Sequence, residues 1–162
     1  MDNKKTPLNE IKEMASTNDI SAIVQPRIHS SNKAKLEDAV PLRTPFSVHI
    51  DVCSYCNFKC SFCFQADTVG KKEKDFPHGM MKMELFKKTV EDLKEFPDKI
   101  RKIKIGNHGE PTMHPDLPKH IEYARKSGVA DIIEIFTNGS KLNPKMNRDL
   151  VDAGLQRINI SL

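Results

Sequence analysis

Three observations predict an α/β fold built on a parallel sheet. Short β-branched runs alternate with stretches of helical periodicity in the order β-α-β-α-β-α-β. After a longer first unit, the repeat is roughly 25–30 residues, the size of a βαβ step. The unusual polar residues fall just past the strand ends, where a parallel α/β sheet carries its chemistry. Alternation of this kind also implies right-handed crossovers.

The first strand is read over residues 46–52, Phe-Ser-Val-His-Ile-Asp-Val, which alternate apolar and polar. His49 is read there as a sheet residue. Met80, Met81 and Met83 form an apolar lead-in to the first helix rather than a cofactor box. Leu85, Phe86, Val90, Leu93 and Phe96 then recur at helical spacing, and Pro97 stops that helix. Ile103-Lys104-Ile105 is a second strand, ended by Gly106. Asp116 is the expected N-cap of a second helix, with Leu117, Ile121 and Ala124 on its apolar face and Gly128 at its end. Residues 132–136 make a third strand. Asn143 and Pro144 suit the N-cap and first turn of a third helix. Met146, Leu150 and Val151 face inward from it, and Gly154 ends it. Residues 158–162 are a fourth strand. Left as an apolar open edge, that strand predicts a fragment of a longer protein or a chain whose partner covers the edge.

Length suggests one domain, 162 residues long. Apolar residues at 38% and charged residues at 30% suit a soluble globular chain with a lean core. The balance of 26 basic and 22 acidic residues gives +4, and the lysines are scattered, which does not favour nucleic acid. The mixed run Lys71-Lys72-Glu73-Lys74-Asp75 reads as a solvated loop. No stretch approaches the ~18 apolar residues that span a bilayer. No apolar segment follows the charged Met1-Asp2-Asn3-Lys4-Lys5, so neither a membrane anchor nor a secretory signal is expected. The expected location is the cytoplasm, where thiols stay reduced. Residues 1–44 are read as an N-terminal extension, partly disordered, with a short helix over residues 9–14 and turn formers over 26–35. An arm that docks on the core is the alternative, and the sequence leaves both open.

All four cysteines lie between positions 53 and 63, spaced C-x2-C-x3-C-x2-C. Disulfides among them would close tiny loops and tie nothing distant together, so metal is the better reading. The three-residue gap is too tight for the paired C-x2-C elements of zinc ribbons. Crowded soft thiolates suit an iron–sulfur cluster. A structural metal knot is the plainer alternative. Two cluster arrangements remain open from the residues. Four cysteines could close a cluster and make an electron-transfer or binding module, or three could bind and leave one iron free for a ligand.

The subset Cys56-x3-Cys60-x2-Cys63, with Phe62 before the last cysteine, resembles the signature of the radical S-adenosylmethionine (SAM) superfamily. The resemblance covers residues 45–162 and implies the N-terminal portion of that family's core, four strands of an incomplete TIM-like (β/α) barrel. It is most similar to the branch of molybdenum-cofactor and peptide-maturase enzymes, whose members often add a C-terminal cluster domain known as SPASM. It implies an oxidoreductase-type enzyme in which Cys56, Cys60 and Cys63 hold a [4Fe-4S] cluster and SAM chelates the fourth iron. Reductive cleavage of SAM then yields methionine and a 5′-deoxyadenosyl radical that abstracts hydrogen from a substrate. A low-potential donor such as ferredoxin or flavodoxin is implied, and a substrate such as a peptide, a small alcohol or a sugar.

Gly109-Glu110-Pro111 resembles the family's Gly-Gly-Glu-Pro motif, with His108 at the first glycine position. The resemblance gives Glu110 the methionyl ammonium of SAM, Phe62 the adenine, and Ser161, beside Asn159, the ribose or carboxylate. No catalytic residue is assigned beyond the cluster. Cys53 lies outside the three-cysteine motif, either a small buried residue or a fourth ligand. Asn138 and Gly139 of Thr137-Asn138-Gly139 are read as turn formers. His108 and His114 are read as exposed or locally hydrogen-bonded.

Overall fold

Strands β1 (Ser47–Ile50), β2 (Ile100–Ile105), β3 (Ala130–Thr137) and β4 (Arg157–Ile160) pair in parallel, in sequence order. In this computed structural model the described residues are Lys35, Glu37, 40–63 and 78–161. The expected helix over 9–14, the turn-rich stretch as far as Ala34 and the 71–75 loop lie outside them. By contacts the chain divides into Met1–Ala39 and Val40–Leu162, and the sheet belongs to the second unit.

Register explains the burial. Ile50 pairs with Ile105, Ile105 with Ile135, and Ile135 with Ile158. Because side chains alternate across a strand, Ile103 and Ile133 share that face, and all but Ile158 are buried. The opposite face aligns His49, Lys104, Glu134 and Arg157. Burial, then the neighbouring Lys104, hold the His49 pKa below its ordinary value.

The helices cover the isoleucine face. Helix α1 (Met83–Asp92) tightens into a 3-10 turn over Leu93–Glu95 before Pro97. Phe86 and Val90, four residues apart, are its buried positions. Leu85 stays about half exposed because it lies one helical step off that face, and Phe96 follows the turn on extended backbone. Helix α2 (Leu117–Ser127) buries Leu117, Ile121 and Ala124, as its periodicity predicts, and ends on a left-handed Gly128. Asp116 stands at its N-cap but does not cap with its side chain. The carboxylate pairs with Lys119 at 2.7 Å instead. Helix α3 (Pro144–Asp152) is capped as expected, Asn143 Oδ1 accepting the Met146 N–H at 2.9 Å. Leu150 is buried, whereas Val151, one step further round, is exposed.

Phe86 is completely buried, with the His120 ring edge-on at 4.6 Å. Phe86→Ala is expected to cost about 3–5 kcal/mol, read as a lower urea midpoint. An unchanged midpoint would mean that α1 does not anchor this core. His114 is also buried: its Nδ1 accepts the Asp116 N–H (3.0 Å) and its Nε2 faces the Met81 carbonyl (3.1 Å). One neutral tautomer serves both contacts.

Candidate active site

The C-terminal ends of β1, β2 and β3 are joined by a small set of polar contacts. Just beyond β1, Asp51 Oδ1 accepts the backbone N–H groups of Asn107 (2.6 Å) and His108 (3.1 Å), while Oδ2 lies 2.7 Å from His108 Nδ1. The segment after β2 is therefore tied to β1. His108, in the place of the motif's first glycine, has its ring turned to Asp51.

The cysteine loop begins under similar control. Residues 52–54 run antiparallel to 79–81: the Met81 N–H donates to the Val52 carbonyl (2.8 Å) and the Ser54 N–H to that of Gly79 (3.0 Å). Cys53 lies inside this pairing, fully buried, its thiol donating to the Tyr55 carbonyl at 3.7 Å. Burial pushes its pKa up, which keeps it a neutral thiol. That setting is one of a packed small residue and does not favour the closed four-cysteine arrangement.

Cys56 is exposed, and Cys60 and Cys63 are half-buried. The x2 spacing of the last pair is a single turn, closed by the Cys63 N–H on the Cys60 carbonyl at 2.9 Å. All four cysteines are unbridged. Among the described residues, no three His, Cys, Asp or Glu side chains gather around one ion position. A cluster asks for something different from a lone ion. Each thiolate meets a separate iron, so the sulfurs surround a volume instead of converging on a point. Three accessible thiols on one anchored loop form a donor set that could hold such a cluster. Phe62, between the last two cysteines, is 92% exposed.

Gly109 and Glu110 join that loop to β2. A Cβ on Gly109 would sit 2.1 Å from the Cys53 carbonyl oxygen and 2.9 Å from both Ser54 Cα and the Tyr55 oxygen, so only glycine lets the two backbones approach this closely. The next N–H, that of Glu110, donates to the Tyr55 carbonyl at 2.8 Å. The Glu110 side chain is 1% exposed and turns inward. Oε1 accepts the Thr112 N–H (3.0 Å), the Thr112 hydroxyl and the Thr137 hydroxyl (2.5 Å), and Oε2 accepts the Asn138 N–H at 2.7 Å. A buried carboxylate needs such donors. Here they bind the ends of β2 and β3 together. Pro111 opens a buried 3-10 turn, Pro111–Met113, which Glu110 caps. A carboxylate offers about four acceptor sites, and among the described residues Oε2 has one donor. Glu110→Gln must set an NH2 group against at least one of these donors, so a loss of about 1–3 kcal/mol is expected by urea denaturation. Stability equal to the parent would show that the carboxylate clamp is unimportant.

Asn138 does more than turn the chain. Its Oδ1 accepts the Ser140 N–H (2.9 Å) and hydroxyl (2.7 Å), while its Nδ2 reaches Asn57 Oδ1 (3.1 Å) and Cys56 Sγ (3.9 Å). Asn57 Nδ2 in turn donates to the Ser140 hydroxyl at 2.8 Å. Asp51, Asn57 and the cross-loop role of Asn138 escape sequence reasoning because their partners lie 56–83 positions away. Only the polarity of the strand ends hinted at them. At β4, the Ser161 N–H donates to the Thr137 carbonyl (2.9 Å), continuing the ladder, and its side chain is exposed. Asn159 Nδ2 donates to the Ile135 carbonyl at 3.2 Å.

The sequence profile described as "Radical SAM superfamily" matches residues 50–162. A tungsten-containing aldehyde ferredoxin oxidoreductase cofactor-modifying protein of Pyrococcus furiosus is 30% identical over 115 residues, 71% of this chain and 30% of that protein. A probable GTP 3′,8-cyclase of Methanococcus maripaludis is 38% identical over 117 residues, 72% of this chain and 36% of that protein. An Fe-coproporphyrin III synthase of Methanosarcina barkeri is 32% identical over 107 residues, 66% of this chain and 24% of its own length. The chain thus spans about a third of the length of the first two relatives. Among solved structures, BtrN in complex with AdoMet and 2-DOIA superposes with a TM-score of 0.59 at 24% identity, over 72% of this chain and 45% of that one. This likeness supports the fold, four strands of a TIM-like barrel. No helix among the described residues is long and apolar enough to cross a membrane.

Proposed function

The chain belongs to the radical SAM superfamily, and from that premise we propose that residues 45–162 are the cluster-bearing, N-terminal portion of an enzyme that cleaves SAM reductively. The observation that carries this reading is the anchored cysteine loop. Gly109 and Glu110 pin the start of that loop through Cys53, Ser54 and Tyr55, Asn138 reaches Cys56 Sγ, and Cys56, Cys60 and Cys63 are open to solvent in whole or part.

Cys56, Cys60 and Cys63 hold a [4Fe-4S] cluster, and Cys53 stays a buried thiol beneath the loop. When bound, the cluster supplies the electron that splits SAM into methionine and a 5′-deoxyadenosyl radical able to take hydrogen from a substrate. The residues around it bind and orient. Glu110 takes the methionyl ammonium at Oε2; because its carboxylate is buried, that role requires the ammonium to enter beside the Asn138 N–H. Gly109 lets the backbone after β2 lie against the start of the cysteine loop, and Pro111 stiffens the turn that follows. Phe62, exposed on the loop, sits where the family's backbone meets the adenine. Ser161, next to Asn159 on β4, meets the ribose or carboxylate. A low-potential donor such as ferredoxin or flavodoxin would supply that electron, and the cytoplasm is the proposed location. The substrate is a peptide, a small alcohol or a sugar, and relatives named as a GTP 3′,8-cyclase and a cofactor-modifying protein make GTP and bound cofactors further candidates to assay.

Electron paramagnetic resonance (EPR) tests the reading on anaerobically reconstituted, dithionite-reduced protein, with and without SAM. The reduced-cluster signal is expected to change when SAM is added, because SAM occupies the open iron. A cluster signal indifferent to SAM would overturn the open-site reading.

A further inference from the structure

We infer that Asn138 is a positioning residue for the cluster ligand Cys56: its side-chain amide donates to the sulfur and thereby raises the reduction potential of the centre. The inference rests on the cluster reading above and goes beyond it, because it assigns a tuning role to a residue outside the cysteine loop.

The orientation of the amide follows from its partners. The Ser140 backbone N–H can only donate, and it points to Asn138 Oδ1 at 2.9 Å. The opposite end must therefore be the NH2 group. One of its hydrogens is directed to Asn57 Oδ1 at 3.1 Å and the other to Cys56 Sγ at 3.9 Å. A second donor, the Phe58 N–H at 3.4 Å, comes from the cysteine loop itself and forms wherever that loop folds. The Asn138 donor is different in kind. It arrives from the end of β3, 82 positions away in sequence, and Glu110 Oε2 holds its backbone N–H at 2.7 Å. The buried carboxylate thus fixes the residue whose amide touches the ligand sulfur.

Hydrogen bonds to cluster sulfurs are one of the protein's levers on potential. A donor withdraws electron density from the thiolate, and that stabilises the more negative, reduced state. Asn138 therefore eases reduction of a centre that must accept an electron from an external donor. Ser140 and Asn57 complete a closed loop of hydrogen bonds with Asn138, without any contact of Ser140 to the sulfur among these bonds.

The test is the midpoint potential of the reconstituted full chain, by EPR-monitored redox titration in the absence of SAM. Asn138→Leu removes both donors. Asn138→Asp also removes them but keeps the Oδ1 acceptor for Ser140, so it preserves the turn if the leucine variant fails to fold. Ser140→Ala breaks the surrounding network and leaves the amide beside the sulfur. Both Asn138 variants are expected to retain parental iron and sulfide; Asn138→Leu is expected to disfavour the reduced cluster about fivefold at fixed potential, which is ~40 mV at 59 mV per decade for one electron, and Asn138→Asp by more, because its carboxylate also adds a negative charge beside the sulfur. Ser140→Ala is expected to match the parent. Parental potentials in both Asn138 variants, or an equal fall in Ser140→Ala, would overturn the inference and leave the cluster assignment standing. A parent chain that takes up no cluster would overturn the assignment itself, and the inference with it.

Discussion

Alanine at Cys56, at Cys60 or at Cys63 is expected to abolish cluster uptake, while Cys53→Ala retains it. The four positions share a residue type and lie within eleven residues, so composition does not separate them. Their surroundings do. Cys53 is wholly enclosed by the 52–54 and 79–81 pairing, donates to a backbone carbonyl, and has its pKa raised by burial. A thiol enclosed on all sides leaves an iron no approach. The other three are open to solvent in whole or part on a loop that begins beyond that pairing. Iron and sulfide per chain after anaerobic reconstitution decide the matter. Background levels in the three loop variants and parental levels in Cys53→Ala are the expected pattern. Loss of iron in Cys53→Ala, with the fold intact by circular dichroism, would instead support a closed four-cysteine centre.

The second large effect is expected at Gly109→Ala, a change of one methyl group. Its Cβ would lie 2.1 Å from the Cys53 carbonyl oxygen, far inside van der Waals contact, and the three nearest atoms all belong to backbone. No rotamer change relieves such a clash. Either the strand-end loop after β2 or the start of the cysteine loop must move, and the Glu110 N–H to Tyr55 bond at 2.8 Å is lost with it. A destabilisation of about 3 kcal/mol is expected, the upper part of the usual range for overpacking, together with poor cluster uptake. Urea denaturation and iron content are the readouts. Stability and iron content both equal to the parent's would mean that the two loops are not in this contact. Stability lost with iron uptake intact would separate folding from the site.

Much of the architecture is written locally. β-branched alternation locates four strands, and the structure extends β2 and β3 by a few residues at their ends. Asn143 followed by Pro144 marks a helix start, and Gly128 marks a helix end. Both devices act within one turn of the chain. Asp116 shows the limit of such reasoning. It stands at the N-cap, yet its carboxylate pairs with the cation of Lys119, one turn into the helix. Leu85 and Val151 show another limit. Apolar residues one step off the buried face read as core in a periodicity that tolerates several phases.

The sequence by itself determined the parallel α/β class, the cysteine spacing and the superfamily, because each depends on residues close together along the chain. Tertiary structure alone decided which chemistry meets which. Asp51 clasping the segment after β2, Glu110 joining the ends of β2 and β3, and Asn138 reaching Cys56 are all contacts between strand ends. Parallel pairing returns the chain to the same edge of the sheet after each crossover helix. Groups dozens of residues apart thereby become neighbours, at distances that no local pattern encodes.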